Sequence, residues 1–308
     1  MQRRPIGRSE LVIEPLVFGG NVLGWTLEED AAFDVLDAYL EAGFTAIDTA
    51  DMYGKGRSEE ILGRWMKSRG NRAQIHLFTK LGSEMGPGKK GLSADYVREA
   101  VEASLSRLQT DYIDLYQCHR PDPETGHEET LRAMDVLVRS GKVRAIGTSN
   151  YTAEMIREAR EISIIKSLPR YESEQPLYNL YDRESFEGPL QQACIELEIG
   201  VLPYFSLAAG FLTGKYRTDA DFKKGARGPR VEKYNTDKGR RILAALDAVS
   251  DRTGASPAEI SLAWLVAQPG VTAPIASATS LEQLKTLVAG VSLKLSEEDL
   301  ETLTQAGR

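Results

Sequence analysis

The chain has 308 residues, 42% hydrophobic and 27% charged, with a net charge of −7. That is apolar material for a sizeable core, in a length that suits two ordinary domains or one large α/β barrel. The acidic balance argues against a nucleic-acid or anionic-membrane partner, and no stretch reads as a membrane span or signal peptide.

The two cysteines, Cys118 and Cys194, have no paired or metal-ligand spacing. Reduced thiols and a cytoplasmic location are therefore expected.

Taken in chain order, short β-rich runs alternate with helical patterns. A first strand over Leu16–Gly19 runs into a glycine-rich turn, Gly19 to Gly24. Thr26 with Glu29 reads as a capping box opening a helix striped with Phe33, Leu36 and Leu40 and closed by Gly43. Strands follow at Thr45–Asp48 and Ile75–Thr79, then a helix from Ser93 with Val97, Val101, Leu105 and Leu108 on one face. Further strands are expected at Tyr112–Cys118, Val143–Thr148, Tyr171–Glu174, Gly200–Tyr204 and Ala273–Ala276. The stretch from Thr218 to Asp237 is long, basic and without periodicity, which reads as a lid or belt. Its cations Lys223, Lys224, Arg227 and Arg230 suit a local anion such as a phosphate better than a polymer. Ser256, Pro257 and Glu259 open a helix carrying Ile260, Ala263, Trp264 and Ala267, which Pro269 stops. Ser280 with Gln283 also suits a capping box, and Ser296 with Asp299 opens the last helix.

Nothing resembling a linker divides the chain, so residues 1–308 are expected to form a single domain. Eight βα units form either a closed barrel or an open doubly wound sheet, and periodicity alone does not choose. The first strand-to-helix turn lacks the G-x-G-x-x-G of a dinucleotide-binding open sheet, which favours the barrel. In a barrel the chemistry sits at the C-terminal strand ends. Those ends carry Asp48 (with Tyr53 five residues later), Lys80, His119, Ser149 and Asn150, Gln175 and Tyr204. A structural role gives no reason to gather an acid, a phenol, a lysine and a histidine on one rim.

Five segments carry a family resemblance: Asp48–Gly54, Phe78–Lys80, His119–Asp122, Gly147–Asn150 and Gly210–Lys215. In this order and at these strand ends the sequence resembles the aldo-keto reductase family, from about residue 10 to about residue 290. The resemblance implies a (β/α)8 TIM barrel with a short N-terminal β-hairpin across the bottom, for which Arg4 to Ile13 is available. It assigns catalysis to Asp48, Tyr53, Lys80 and His119.

Chemistry supports the same assignment. Reducing a carbonyl needs a hydride at carbon and a proton at oxygen, and a free phenol of pKa about 10 donates poorly. A cation beside Tyr53, for which Lys80 is available, is expected to lower that pKa, and Asp48 to keep the lysine charged. His119 would orient the carbonyl oxygen through a hydrogen bond. Two alternatives stay open: a Schiff-base aldolase using Lys80, and a non-catalytic, nicotinamide-cofactor-binding regulatory subunit on the same fold. Three histidines cannot build a histidine-rich metal site, so no metal is expected. His76 and His127 read as structural, and Asp111 and Asp114 as capping or pairing residues.

The resemblance also implies a cofactor site, with NADPH preferred and NADH possible. Tyr204 matches the family's stacking aromatic, and Ser149, Asn150 and Gln175 its carboxamide-binding positions. Leu207 to Leu212, with Gly210, offers backbone N–H groups to a pyrophosphate, and Lys215 adds charge. Gly20, Asn21, Ser206, Ser277, Thr279 and Gln283 complete the expected set. The sequence departs from the family at Phe205-Ser206, where Ser-Pro is usual. It departs again at Thr279, where many members carry an arginine for a 2′-phosphate, and at Leu287, in place of an asparagine. Trp25, Met52, Met85 and Arg120 are the expected substrate-pocket walls, suited to small or medium carbonyl compounds.

Overall fold

The computed structural model describes residues 2–218, 220–223 and 228–308. It opens with a hairpin of β1 (Arg4–Pro5) and β2 (Val12–Ile13), paired antiparallel. Then follow β3 (Val17–Gly19), α1 (Glu29–Glu41), β4 (Ala46–Asp48), α2 (Arg57–Arg69), β5 (His76–Leu81) and α3 (Ala94–Leu108). Next come β6 (Ile113–Cys118), α4 (His127–Arg139), β7 (Val143–Ser149), α5 (Ala153–Lys166), β8 (Tyr171–Gln175), α6 (Pro189–Glu196) and β9 (Gly200–Val201). The chain continues through α7 (Gly228–Val231), α8 (Asp237–Thr253), α9 (Pro257–Ala267), β10 (Ile275–Ala276), α10 (Leu281–Ser292) and α11 (Glu297–Ala306).

Eight parallel strands lie in the order β10-β3-β4-β5-β6-β7-β8-β9. Backbone bonds close the remaining seam: Thr272 N donates to Val201 O at 2.8 Å, and Ile275 N to Pro203 O at 2.9 Å. The sheet is the expected barrel, with the hairpin at its foot.

Strand alternation decides what the barrel contains. Val17, Ala46, Phe78, Leu115, Ala145, Leu202, Ala273 and Ile275 point inward and form one buried cluster with Ile6, Leu11 and Ile13 of the hairpin. Two residues further along their strands stand Asp48, Lys80 and Gln117, all buried. The lower half of the barrel is thus hydrocarbon and the upper half polar. Outward-facing residues pack under the helices in a second, larger core that includes the α3 stripe Val97, Val101, Leu105 and Leu108.

Helix starts follow the local chemistry. Ser93, Ser256 and Ser296 each accept a backbone N–H three residues on, and Ser256 with Glu259 completes a capping box. Four expectations are corrected. The box at Thr26 does not form: Trp25, Thr26 and Leu27 all donate backbone N–H to Val22 O, and α1 starts at Glu29 without a side-chain cap. Glu29 is instead held by Arg64, at 2.6 and 2.7 Å. The strand expected over Gly200–Tyr204 stops at Val201, because Pro203 has no N–H to donate. Pro274 shortens the last strand to Ile275–Ala276 for the same reason. Finally, the stretch from Thr218 to Asp237 is not bare loop. It contains turns at Asp221–Lys223 and Glu232–Tyr234 as well as α7. The buried Tyr234 stacks on Phe211 and donates to Asp182 Oδ2 at 2.7 Å. Lys224 and Arg227 of the basic cluster lie outside the described residues. Among the described residues, no helix is long and apolar enough to cross a membrane.

Candidate active site

At the upper rim, β4, β5 and β6 bring four side chains together. Lys80 Nζ, 1% exposed, lies 2.6 Å from Asp48 Oδ2, 2.7 Å from Thr49 O and 3.4 Å from Tyr53 Oη. The Tyr53 and His119 rings meet edge to face with centroids 5.9 Å apart. Burial alone would strip the lysine of its proton. Asp48 and Tyr53 outweigh that, and Lys80 is held above its ordinary value, charged.

Tyr53 corrects the sequence expectation. Burial raises its phenol above 10, and Asp48 and Asp51 add to the rise; Lys80 pulls the other way without reversing it. The lysine therefore limits an upward shift rather than producing a net fall. His119 is pushed down to about 3 by burial, then by Lys80 and Arg120, so its imidazole is neutral. Its Nδ1 is buried without a partner.

A second tier supports these groups. Gln175 Nε2 donates to Asp48 Oδ1 at 2.8 Å and to Gln117 Oε1 at 2.9 Å. Ser173 Oγ donates to the same Gln117 oxygen at 3.2 Å. Gln117 is a site residue the sequence reading missed. The signal was its alternation with Leu115, which turns a glutamine into the barrel two residues before His119.

Along the rim, Ser149 Oγ donates to Gln175 O at 2.9 Å. Asn150, in the left-handed region at φ 63°, donates to His119 O at 3.1 Å and accepts the Tyr204 hydroxyl at 2.7 Å. Tyr204, half-buried, is pinned at its hydroxyl, and its ring meets Phe205 edge to face with centroids 5.3 Å apart. The segment after it runs through positive φ at Ala208, Ala209 and Gly210. Its amides are not simply presented outward, as expected from the sequence: Ala208 N donates to Phe205 O, and Gly210 N and Leu212 N to Leu207 O. A Cβ on Gly210 would stand 3.9 Å from Lys215 Nζ, so this ammonium overhangs bare backbone.

Other expected contacts are knit into the protein. Ser206 Oγ donates to Ile275 O, and Ser277 Oγ sits 2.7 Å from both Gly19 O and Asn21 Oδ1. Gln283 accepts from Thr279 N at 2.9 Å, while Ser280 caps α10. Gly20 packs on β4, where a Cβ would come 2.9 Å from Asp48 O. Of the expected pocket walls, Trp25 and Met52 are exposed, with the Arg230 guanidinium 4.8 Å over the Trp25 ring. Arg120 is exposed, and Met85 is half-buried in a turn closed by Lys89. His76 bonds Thr45 Oγ1, and Asp114 is taken by Arg72 and Arg144, as structural residues would be.

Comparison with known proteins adds a family match. The pattern of the aldo/keto reductase family covers residues 15–308. The chain is 34% identical over 288 residues to "Aldo-keto reductase yakc [NADP(+)]" of Schizosaccharomyces pombe, covering 90% of this chain and 83% of that one. It is 35% identical over 300 residues to "Aldo-keto reductase YhdN" of Bacillus subtilis, covering 96% and 88%. A protein named "Probable voltage-gated potassium channel subunit beta", from Oryza sativa subsp. japonica, is 34% identical over 92% of this chain and 89% of its own.

Proposed function

The chain belongs to the aldo/keto reductase family, and on that premise we propose that it reduces aldehydes or ketones to alcohols with NADPH, reversibly. The observation that carries this reading is the buried Lys80–Asp48 pair at 2.6 Å with Tyr53 Oη 3.4 Å from the ammonium.

The rim residues suit a dinucleotide. Tyr204 offers a pinned ring, Ser149, Asn150 and Gln175 offer amide-binding groups beside it, and Lys215 sits over Gly210 for a phosphate. When bound, the reduced nicotinamide supplies a hydride to the carbonyl carbon. Tyr53 gives its phenolic proton to the carbonyl oxygen as charge develops there. Lys80, kept protonated by Asp48, stabilises the resulting phenolate and so offsets the cost of burying it. His119 enters neutral and can donate one N–H to the same oxygen without competing as an acid. NADPH is preferred to NADH, in keeping with the NADP(+) in the name of the S. pombe relative. The exposed rim formed by Trp25, Met52 and Arg120, with Met85, takes the substrate. The two buried free thiols suit a reducing, cytoplasmic setting.

The test is turnover of a generic aldehyde by wild type and Tyr53→Phe, with NADPH and NADH titrated in parallel by fluorescence. Tyr53→Phe should lose at least about a hundredfold in kcat, as expected for removal of a general acid, while holding NADPH normally. Near-normal turnover in that variant would overturn the assignment.

The match to the rice channel subunit favours one other reading, a cofactor-binding regulatory subunit. It predicts NADPH binding with no aldehyde turnover. A Schiff-base aldolase is disfavoured, because an ammonium held charged by Asp48 and Thr49 O is not a nucleophile.

A further inference from the structure

The loop between Asp48 and Tyr53 contains a second carboxyl group, Asp51, whose surroundings are the reverse of Asp48's. It is 1% exposed, neither carboxyl oxygen has a partner at normal hydrogen-bond geometry, and the Met52 backbone N–H beside it offsets its burial only in part. Its backbone N–H donates to Lys80 O at 3.2 Å, which fixes it beside the lysine's own main chain. Asp48, three residues earlier, uses one oxygen on Lys80 and the other on Gln175.

A buried carboxylate this short of donors is costly, so such a group stays protonated unless a cation answers it. The groups that face Asp51 do not answer it. Glu59 comes from α2 with a like charge and is itself fully buried, bonded to Thr79 Oγ1 at 2.6 Å and Arg107 at 2.7 Å. Arg107 of α3 reaches Asp51 electrostatically, but its guanidinium is engaged by Glu59. Tyr96 of α3 and Tyr116 of β6 are phenols, both pushed further up by the nearby Asp51 charge, and Tyr116 Oη is also without a partner. Lys80 of β5 is committed to Asp48. Tyr53, two residues on, is the remaining neighbour, and a negative Asp51 raises its phenol.

We propose that Asp51 is a positioning residue for the Tyr53–Lys80 pair: a buried carboxyl group that works uncharged and weakens the pair's proton chemistry when it ionises. This rests on Tyr53 being the acid. Burial and Glu59 push Asp51 up to about 7, so the change falls near neutrality. In dry protein an added negative charge opposes phenolate formation strongly. An ionised Asp51 therefore makes Tyr53 a poorer proton donor in reduction. In alcohol oxidation it delays, to higher pH, the phenolate needed to accept the proton.

The test is single-turnover reduction of an aldehyde by the NADPH complex from pH 5.5 to 9, with alcohol oxidation by the NADP+ complex over the same range. Wild type should lose about three- to tenfold in reduction rate through an inflection near neutrality, the effect of a shift of up to about one unit at Tyr53. Asp51→Asn should lack that inflection, oxidise alcohol at lower pH than wild type, and bind NADPH within about twofold of it. An Asp51→Asn profile of wild-type shape, whatever its height, overturns the proposal. If Asp51→Asn does not fold, Glu59→Gln serves instead: with repulsion gone and Arg107 released, the inflection should move to acid, and an unmoved one overturns the proposal. Tyr53→Phe in the same series separates the two readings. Its retained activity would sink the acid assignment, whereas its inactivity beside an unchanged Asp51→Asn profile sinks only the role of Asp51.

Discussion

Gln175 reaches across the barrel from β8 to donate to Asp48 of β4 at 2.8 Å, so the carboxylate that holds Lys80 is held in turn from the opposite wall. The two Asp48 oxygens divide the work: Oδ2 takes the ammonium, and Oδ1 takes the Gln175 amide, with Gln117 Nε2 farther off at 3.5 Å. Charge and orientation are thereby fixed together.

Asp48→Asn keeps the shape and removes the charge. The Lys80 ammonium, 1% exposed, would then be left without a counter-ion. Breaking a buried pair from one side costs about 3–5 kcal/mol. We expect a loss of that order in urea unfolding at pH 7 and a fall in kcat of at least about a hundredfold. A variant as stable as wild type would mean that Lys80 is neutral in the native fold.

Gly147→Ala tests the second tier without touching the tetrad. A Cβ at this β7 position would overlap the Ser173 hydroxyl and come 3.2 Å from Gln117 Cγ. Ser173 must turn away and release Gln117, which shares its oxygen with Gln175. Overpacking of this kind costs about 1–3 kcal/mol. The expected result is a lower melting temperature together with a reduced kcat, while NADPH affinity changes less. Loss of stability alone would show that the glutamine pair does not steer Asp48.

Glu174 gives the stability a pH dependence. It lies outside the barrel, fully buried, accepting from Thr148 Oγ1 at 2.6 Å and from Tyr151 N at 3.2 Å. Burial pushes it up to about 8 despite those donors. Unfolded, a glutamate titrates near 4.3. Between these values the folded state binds the extra proton, so stability falls as pH rises from about 4.5 through 8. The loss is on the order of 4–5 kcal/mol at most. Glu174→Gln should therefore flatten the decline in melting temperature between pH 5 and 9. Parallel curves for the two proteins would rule this source out.

Much of this arrangement was legible in the sequence, because it is written in short-range pattern. Alternating runs give the eight strands in order, and the ends of the second to seventh carry the polar residues Asp48, Lys80, His119, Ser149, Gln175 and Tyr204. What escaped depends on contacts between distant segments. The box at Thr26 failed because Glu29 answers Arg64 of another helix. Gln117 passed unnoticed because only barrel closure makes its inward side a site. The direction of the Tyr53 shift does not follow from residue order, which gives the neighbouring lysine but not the depth of burial, and depth outweighs the lysine here.

The hairpin has a consequence beyond its small size. Ile6, Leu11 and Ile13 stop the lower mouth of the barrel with hydrocarbon, directly beneath Ala46 and Phe78. Among the described residues the lower mouth is thus closed to water, and the strength of the lysine–carboxylate attraction depends on dryness supplied by the first thirteen residues. A chain shortened to begin at Glu14 would keep every polar side chain of the rim. It would nonetheless let solvent rise along the barrel axis and dilute the field that the site relies on.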